Sequence, residues 1–347
     1  MTFAITVKED VSRYSRTTHK KIENPHDKFF KETFSHVEVT KSFLHHYLPS
    51  DVLEILNADT LKLEKDSFIN EELEERFSDL LFSAHIDGRK GYIYFLFEHK
   101  SYLDKTLVFQ LLIYMAEIWN EKMKKEKMDQ VPLIIPLVIY HGFNRWNREH
   151  TLGGMISGYR DFSPGIRKFA PDYAYLVYHI TNYTDEEIKG EARVRILFTL
   201  FRDVQNAKNI KELLEIIDKA ITYLRELDNK QTGIEYFETC MRYIFSAAKN
   251  VTREDTNEIV KKVEKTYPEG SEFVMTLADI LREEGEERGI RKGEKRGIRK
   301  GEKRGIRKGK ELVVKNAIKE GMELRLIEKL TGLSRQEIEN IAEEMEK

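Results

Sequence analysis

Residues 77–101 read FSDLLFSAHIDGRKGYIYFLFEHKS, and the folding of this stretch decides the rest of the chain. Two apolar runs flank Asp87-Gly88-Arg89-Lys90, a turn-type sequence, so residues 76–86 and 91–100 are expected as the strands of an antiparallel hairpin. A carboxylate sits in each run. Asp79 precedes Leu80, Leu81 and Phe82, and Glu98 closes the run Tyr92 to Phe97. Charged side chains are almost never buried unless they are paired or bind a metal. Either these acids lie at solvated strand ends or they serve chemistry.

A turn centred on Gly88-Arg89 sets Asp79 directly opposite Glu98. Slipping the turn to Asp87-Gly88 makes Glu98 a diagonal neighbour and leaves it on the same face. Directly opposed side chains have Cβ atoms roughly 5 Å apart, where two like charges destabilise the pair unless something lies between them. A divalent cation is the natural candidate. Lys100 shares the face of Glu98 two residues on. Carboxylate oxygens and waters are what Mg²⁺ prefers. Such an ion polarises a phosphoryl oxygen, generates hydroxide and balances charge, while a lysine orients the attacking water or steadies developing negative charge. The constellation suits phosphodiester hydrolysis. Acids at strand ends are common, and what favours chemistry here is the surrounding apolar sequence, the hairpin register and the helix that follows.

The chain has 347 residues, enough for a subdivided architecture, with 40% hydrophobic and 34% charged residues, as in soluble globular proteins. One cysteine, Cys240, excludes an intramolecular disulfide and a cysteine zinc cluster. The N-terminal stretch lacks the pattern of a secretory signal, and the longest apolar run, VPLIIPLVIY at 131–140, is about half a membrane span. A cytoplasmic protein with no membrane partner is expected. The net charge of −2 conceals a basic run, Arg288 to Lys310, with twelve Lys or Arg against two Glu. That run is +10, which leaves −12 for the remainder.

The first 24 residues read as an arm. From Pro25, Phe30, Phe34, Val37, Phe43, Leu44 and Tyr47 recur at helical spacing up to Pro49, and a second helix covers 50–57. LKLEKDSF at 61–68 alternates as a strand, the hairpin follows, and the stretch from Leu107 is apolar at helical spacing with a lysine-rich end. Residues 132–142 and 172–180 read as further strands. The order α, β, β, β, α, β, β gives a mixed α/β domain over 25–185. Amphipathic helices fill a second domain, 186–284, expected to serve packing or oligomerisation. The segment 285–310 repeats GIRKGEKR with glycine at every fourth position, which costs about 6 to 7 kcal/mol in a helix and argues against a stable isolated one. Its charge is apt for phosphates, and a solvated linker is the alternative. The tail, 311–347, carries two short helices around Thr331-Gly332-Leu333-Ser334 with a capping box from Ser334 to Glu337 and a helix-turn-helix flavour.

The succession HDKFFKETF, SDLLF, YFLFEHKS, LLIYMAEIW, PLIIPLVIYHG and DYAYLVYHI resembles the Rpn family of recombination-promoting nucleases, also called putative transposases, within the PD-(D/E)XK nuclease superfamily. The resemblance spans residues 25–185 and extends into the glycine repeat and the tail. It implies an α/β fold: a PD-(D/E)XK nuclease-like core with a mixed sheet flanked by helices, then an all-helical region, a basic glycine-repeat arm and short C-terminal helices. It further implies a DNA endonuclease dependent on Mg²⁺ or another divalent cation such as Mn²⁺ or Ca²⁺. Asp79 and Glu98 take the places of the two motif acids and metal ligands, and Lys100 the third position, where many relatives carry glutamine. Gln110, on the next helix, is the corresponding polar residue of the site, although relatives often have arginine there. Glu32 on the first helix is a further candidate ligand.

DNA is the expected partner, with a homodimer allowed and no small-molecule substrate. His45, His46 and His141 match no metal-site spacing and read as structural, while Gly142 and Trp146 read as a loop near the site, with a grip on the DNA backbone as the less favoured alternative. The competing reading is a non-catalytic DNA-binding or toxin-antitoxin-like interaction protein that acts through the basic arm and C-terminal helices.

Overall fold

The computed structural model describes residues 24–64, 78–98, 106–127, 129–142, 144–146, 150–248 and 251–346. One sheet takes the order β1 (Leu56–Leu63), β2 (Ser78–Ile86), β3 (Arg89–Glu98), β4 (Ile134–Tyr140) and β5 (Leu176–His179). The first three strands pair antiparallel, and β3, β4 and β5 run parallel. The hairpin forms because Asp87 and Gly88 accept positive φ, 49° and 70°, while Ile86 pairs with Arg89 to close a two-residue loop. Two successive positive φ values match the twist of flanking strands, and Asp-Gly adopts them at little cost.

Two helical layers cover the sheet. On one face Leu81, Tyr94, Leu96 and Val138 pack against a helix at Leu107–Glu126. On the other, Phe82 and Phe95 meet at 5.5 Å, and Phe95 meets Phe34 and Phe43 at 5.7 Å each. Those last two belong to α1 (Pro25–Phe34) and α2 (Val37–Tyr47), followed by α3 (Ser50–Ile55) and then, beyond the hairpin, by α4, the helix Leu107–Glu126. The single helix expected from Pro25 to Pro49 is thus two. At about 100° per residue, positions 34 and 43 of one straight helix would face opposite ways. The break at Ser35-His36 lets both rings reach Phe95.

The first strand also begins earlier than its alternating pattern indicates, at Leu56 instead of residue 61, and residues 65–68 lie outside the described residues. Between Asn57 and Lys62 the ladder is irregular. There the Asn57 side chain accepts from the Asp59 N–H, and Thr60 Oγ1 accepts from the His85 N–H at 2.8 Å. Side chains replace ladder partners, so NADT reads as a turn while it lies within a strand.

Helices α5 (Ala192–Asp203), α6 (Ile210–Leu224), α7 (Lys230–Ala247) and α8 (Arg253–Thr266) follow. Tyr243 stacks on Phe29 at 4.8 Å, Phe198 meets Phe43 at 6.0 Å, and the Tyr236 and Thr33 hydroxyls share a hydrogen bond of 2.8 Å. These helices bury the outer faces of α1 and α2, and the first compact unit of the chain is Met1–Ala278. The second unit is Asp279–Lys347. No described helix is long and apolar enough to cross a membrane.

The glycine repeat is helical, within the 49-residue α9 (Ser271–Lys319). The per-glycine penalty counts against an isolated helix, but this segment extends existing helix, which avoids nucleation, and most of its other residues, Arg, Lys and Glu, are good helix formers. In the second unit α10 (Leu324–Thr331) and α11 (Arg335–Glu346) fold onto the end of α9 through Val314, Ala317, Ile327, Ile338 and Ile341. Gly332, at φ 63°, caps α10. Glu337 accepts from the Ser334 N–H at 2.8 Å and from its hydroxyl at 2.7 Å, one half of the expected capping box.

Candidate active site

Asp79 pairs with Leu96, and Glu98 lies two residues beyond Leu96 on β3. Strand alternation assigns all three positions to one face, with the two acids one diagonal step apart. The directly opposed arrangement is therefore corrected. A turn centred on Gly88-Arg89 would require positive φ at Arg89, whereas Asp87 and Gly88 are the residues that hold it. Diagonal neighbours are about 7–8 Å apart, close enough for two acids to share an ion and far enough to lessen their repulsion.

Asp79 is the second residue of β2 and Glu98 the last of β3, so antiparallel pairing brings both to the end of the sheet where β4 and β5 also finish. In open α/β sheets, ligands bind outside the carboxyl ends of strands. The face is the one that α4 covers. Gln110 lies in the first turn of that helix, half-buried, and its Nε2 donates to Thr106 Oγ1 at 3.0 Å. Lys100 lies outside the described residues.

Beside Glu98 the parallel ladder places Tyr140, and beside Tyr140, His179. The Tyr140 ring is fully buried, 5.0 Å from Trp146 and 4.7 Å from His179. Gly142 leaves room for it: a Cβ there would lie 2.1 Å from the Tyr140 hydroxyl. The Gly142 carbonyl accepts from His179 Nε2 and from Thr181 Oγ1, both at 2.8 Å, and Asn182 Nδ2 donates to His179 Nδ1 at 2.8 Å. Both ring nitrogens of His179 are thereby engaged, and the residue braces the loop. The Trp146 indole N–H is buried and without a hydrogen-bond partner among the described residues, a donor held at this edge.

Gly142 and Trp146 both lie against Tyr140, the neighbour of Glu98 on β4. Tyr140 and His179 are absent from the sequence reading because both lie inside apolar strands. The available signal was the Tyr-His pair that ends each strand, Tyr140-His141 and Tyr178-His179, offset by one so that Tyr140 meets His179.

The other candidates are placed elsewhere. Glu32 sits on α1, which covers the opposite face, and accepts from Thr239 Oγ1 at 2.6 Å. His45 and His46 are exposed on α2. His141 is buried, with Nε2 2.7 Å from the Phe201 carbonyl. Among the described residues, no group of three or more metal-ligating side chains occurs.

The family model described as "Putative transposase, YhgA-like" matches residues 24–235, a span that contains every strand of the sheet. The chain belongs to this YhgA-like putative transposase family. Its curated relatives in Escherichia coli include RpnE of strain K12, named an inactive recombination-promoting nuclease-like protein, at 28% identity over 78% of this chain and 86% of that one. RpnD of O157:H7, named a recombination-promoting nuclease, is 28% identical over 74% of this chain and 93% of its own length. RpnA of strain K12, also named a recombination-promoting nuclease, is 26% identical over 92% of this chain and 97% of its own. No solved structure matches. The YhgA-like match ends before the glycine repeat, whereas the alignment with RpnA covers 322 residues.

Proposed function

We propose that this YhgA-like protein is a divalent-metal-dependent DNA endonuclease that hydrolyses phosphodiester bonds and promotes recombination. The carrying observation is the ladder that brings Asp79 and Glu98 to one face at one end of the sheet. Nuclease relatives supply the substrate class. Two carboxylate positions one diagonal step apart fit a hard cation that takes oxygen ligands, and Mg²⁺ uses one or two such acids. Asp79 and Glu98 would hold it. When bound, the ion supplies Lewis-acid polarisation of a phosphoryl oxygen and charge balance.

The remaining groups position and exclude. Tyr140 stands beside Glu98 on β4, and the Gly142 carbonyl is held by His179 and Thr181. Trp146, whose buried N–H has no hydrogen-bond partner among the described residues, is the loop residue assigned to the phosphate backbone of DNA. Gln110, on the helix over this face, is a polar group for the same backbone, and Lys100 is assigned to steadying negative charge. The test is a supercoiled plasmid incubated with the protein and Mg²⁺. The reading requires conversion to nicked and linear forms that stops when the metal is chelated. The relative named inactive favours a second reading, a chain that binds DNA without cutting it. Retardation of the plasmid with no nicking under any divalent cation would decide for that one.

A further inference from the structure

The basic run belongs to a helix, and its charge therefore has a geometry. Between Arg288 and Lys310 stand twelve Lys or Arg and two Glu, and every side chain described from 290 to 309 is exposed. An added Cβ at Gly293, Gly297, Gly301 or Gly305 would meet nothing within 4 Å. Like charges four residues apart, such as Lys295 with Arg299 and Lys300 with Arg304, repel on a helix surface. An anionic partner relieves that repulsion, and a second copy of the same helix adds to it.

At about 100° per residue, Arg299, Lys300, Lys303 and Arg304 of one repeat fall within an arc of roughly 140°, with Gly297, Ile298, Gly301 and Glu302 on the other side. Eight residues advance the pattern by about 80°, so the basic arc winds around the axis from repeat to repeat. A flat anionic surface meets little more than the one or two repeats turned towards it. Ile290, Ile298 and Ile306, each more than 60% exposed, wind in the same way and make no continuous apolar face for a bilayer. A duplex groove differs. It admits an α-helix and has phosphates along both walls, so cations leaving the axis over a wide arc still find oxygens.

We propose that residues 288–310 of α9 dock on the phosphate backbone of double-stranded DNA, without reading its sequence. This surface is built from other residues than the candidate active site, and its binding does not depend on cleavage. The test uses the full chain in EDTA with a fluorescein-labelled mixed-sequence duplex, followed by anisotropy from about 50 to 200 mM salt. Each phosphate contact contributes about 0.9 to the slope of log K against log salt, so Lys295→Gln, Lys300→Gln, Lys303→Gln and Lys308→Gln together should lower that slope by about 3 to 4. Lys→Arg at the same four positions should retain it, with helicity by circular dichroism equal in both. A slope unchanged by the glutamines, or lost equally with the arginines, overturns the proposal. So does binding to phosphatidylserine vesicles with none to the duplex. Because no metal is present, absence of nicking by the wild type would leave this result intact, and the two readings fail separately.

Discussion

Asp79 of β2 pairs with Leu96 of β3 and so stands one diagonal step from Glu98. In the absence of a cation the two like charges oppose one another, so neutralising either should not lower the melting temperature of the metal-free protein. With Mg²⁺ about a hundredfold above its Kd, the wild type should gain about 2.7 kcal/mol. Asp79→Asn and Glu98→Gln should each lose most of that gain in scanning calorimetry. An undiminished Mg²⁺ shift in either variant would remove that residue from the ligand set.

Gly142→Ala should destabilise the protein by about 1–3 kcal/mol, the usual cost of overpacking. The new Cβ would lie 2.1 Å from the Tyr140 hydroxyl and 2.3 Å from Cζ, and the ring it presses is held against Trp146 and His179. A lower urea midpoint at constant m value is the expected readout. An unchanged midpoint would mean that the loop gives way freely.

Burial holds the Glu117 carboxyl above the usual carboxylate range, and its Oε2 has no hydrogen-bond partner among the described residues. The folded state therefore takes up this proton more readily than the unfolded one. Its stabilising contribution is present when the group is protonated, and it becomes a penalty as pH rises past the unfolded value, about 4.3, and through the folded one. Glu117→Gln should raise the melting temperature at pH 7, and the advantage should disappear near pH 4. A constant difference across that range would contradict the assignment.

Glycines of opposite conformational role should respond with opposite sign. Gly297→Ala and Gly301→Ala fill open space on α9 and should each stabilise the helix by about 0.8–1 kcal/mol. Gly332→Ala forces a side chain into the left-handed region at φ 63° and should cost about 1 kcal/mol. Thermal melts followed at 222 nm distinguish the two directions.

The parts of this fold that a sequence discloses are those where periodicity and burial coincide. The hairpin, the helix beginning at Leu107 and the strand within 132–142 all carry that signal. The strand start at Leu56 is hidden because Asn57 and Thr60 side chains stand in for ladder bonds. The break at Ser35-His36 is hidden because only tertiary packing on Phe95 demands it. For the site, the two acids and their common face can be read from the hairpin, whichever turn is chosen. Their diagonal offset depends on which two residues hold positive φ, and the row Glu98, Tyr140, His179 exists only once separate strands align in parallel.

The central claim is that Asp79 and Glu98 form one metal-dependent nuclease site, and plasmid nicking with Mg²⁺ by the wild type and by Asp79→Ala tests it most directly. The account predicts nicked circles from the wild type and intact supercoils from a folded Asp79→Ala protein. Equal nicking by both would contradict it.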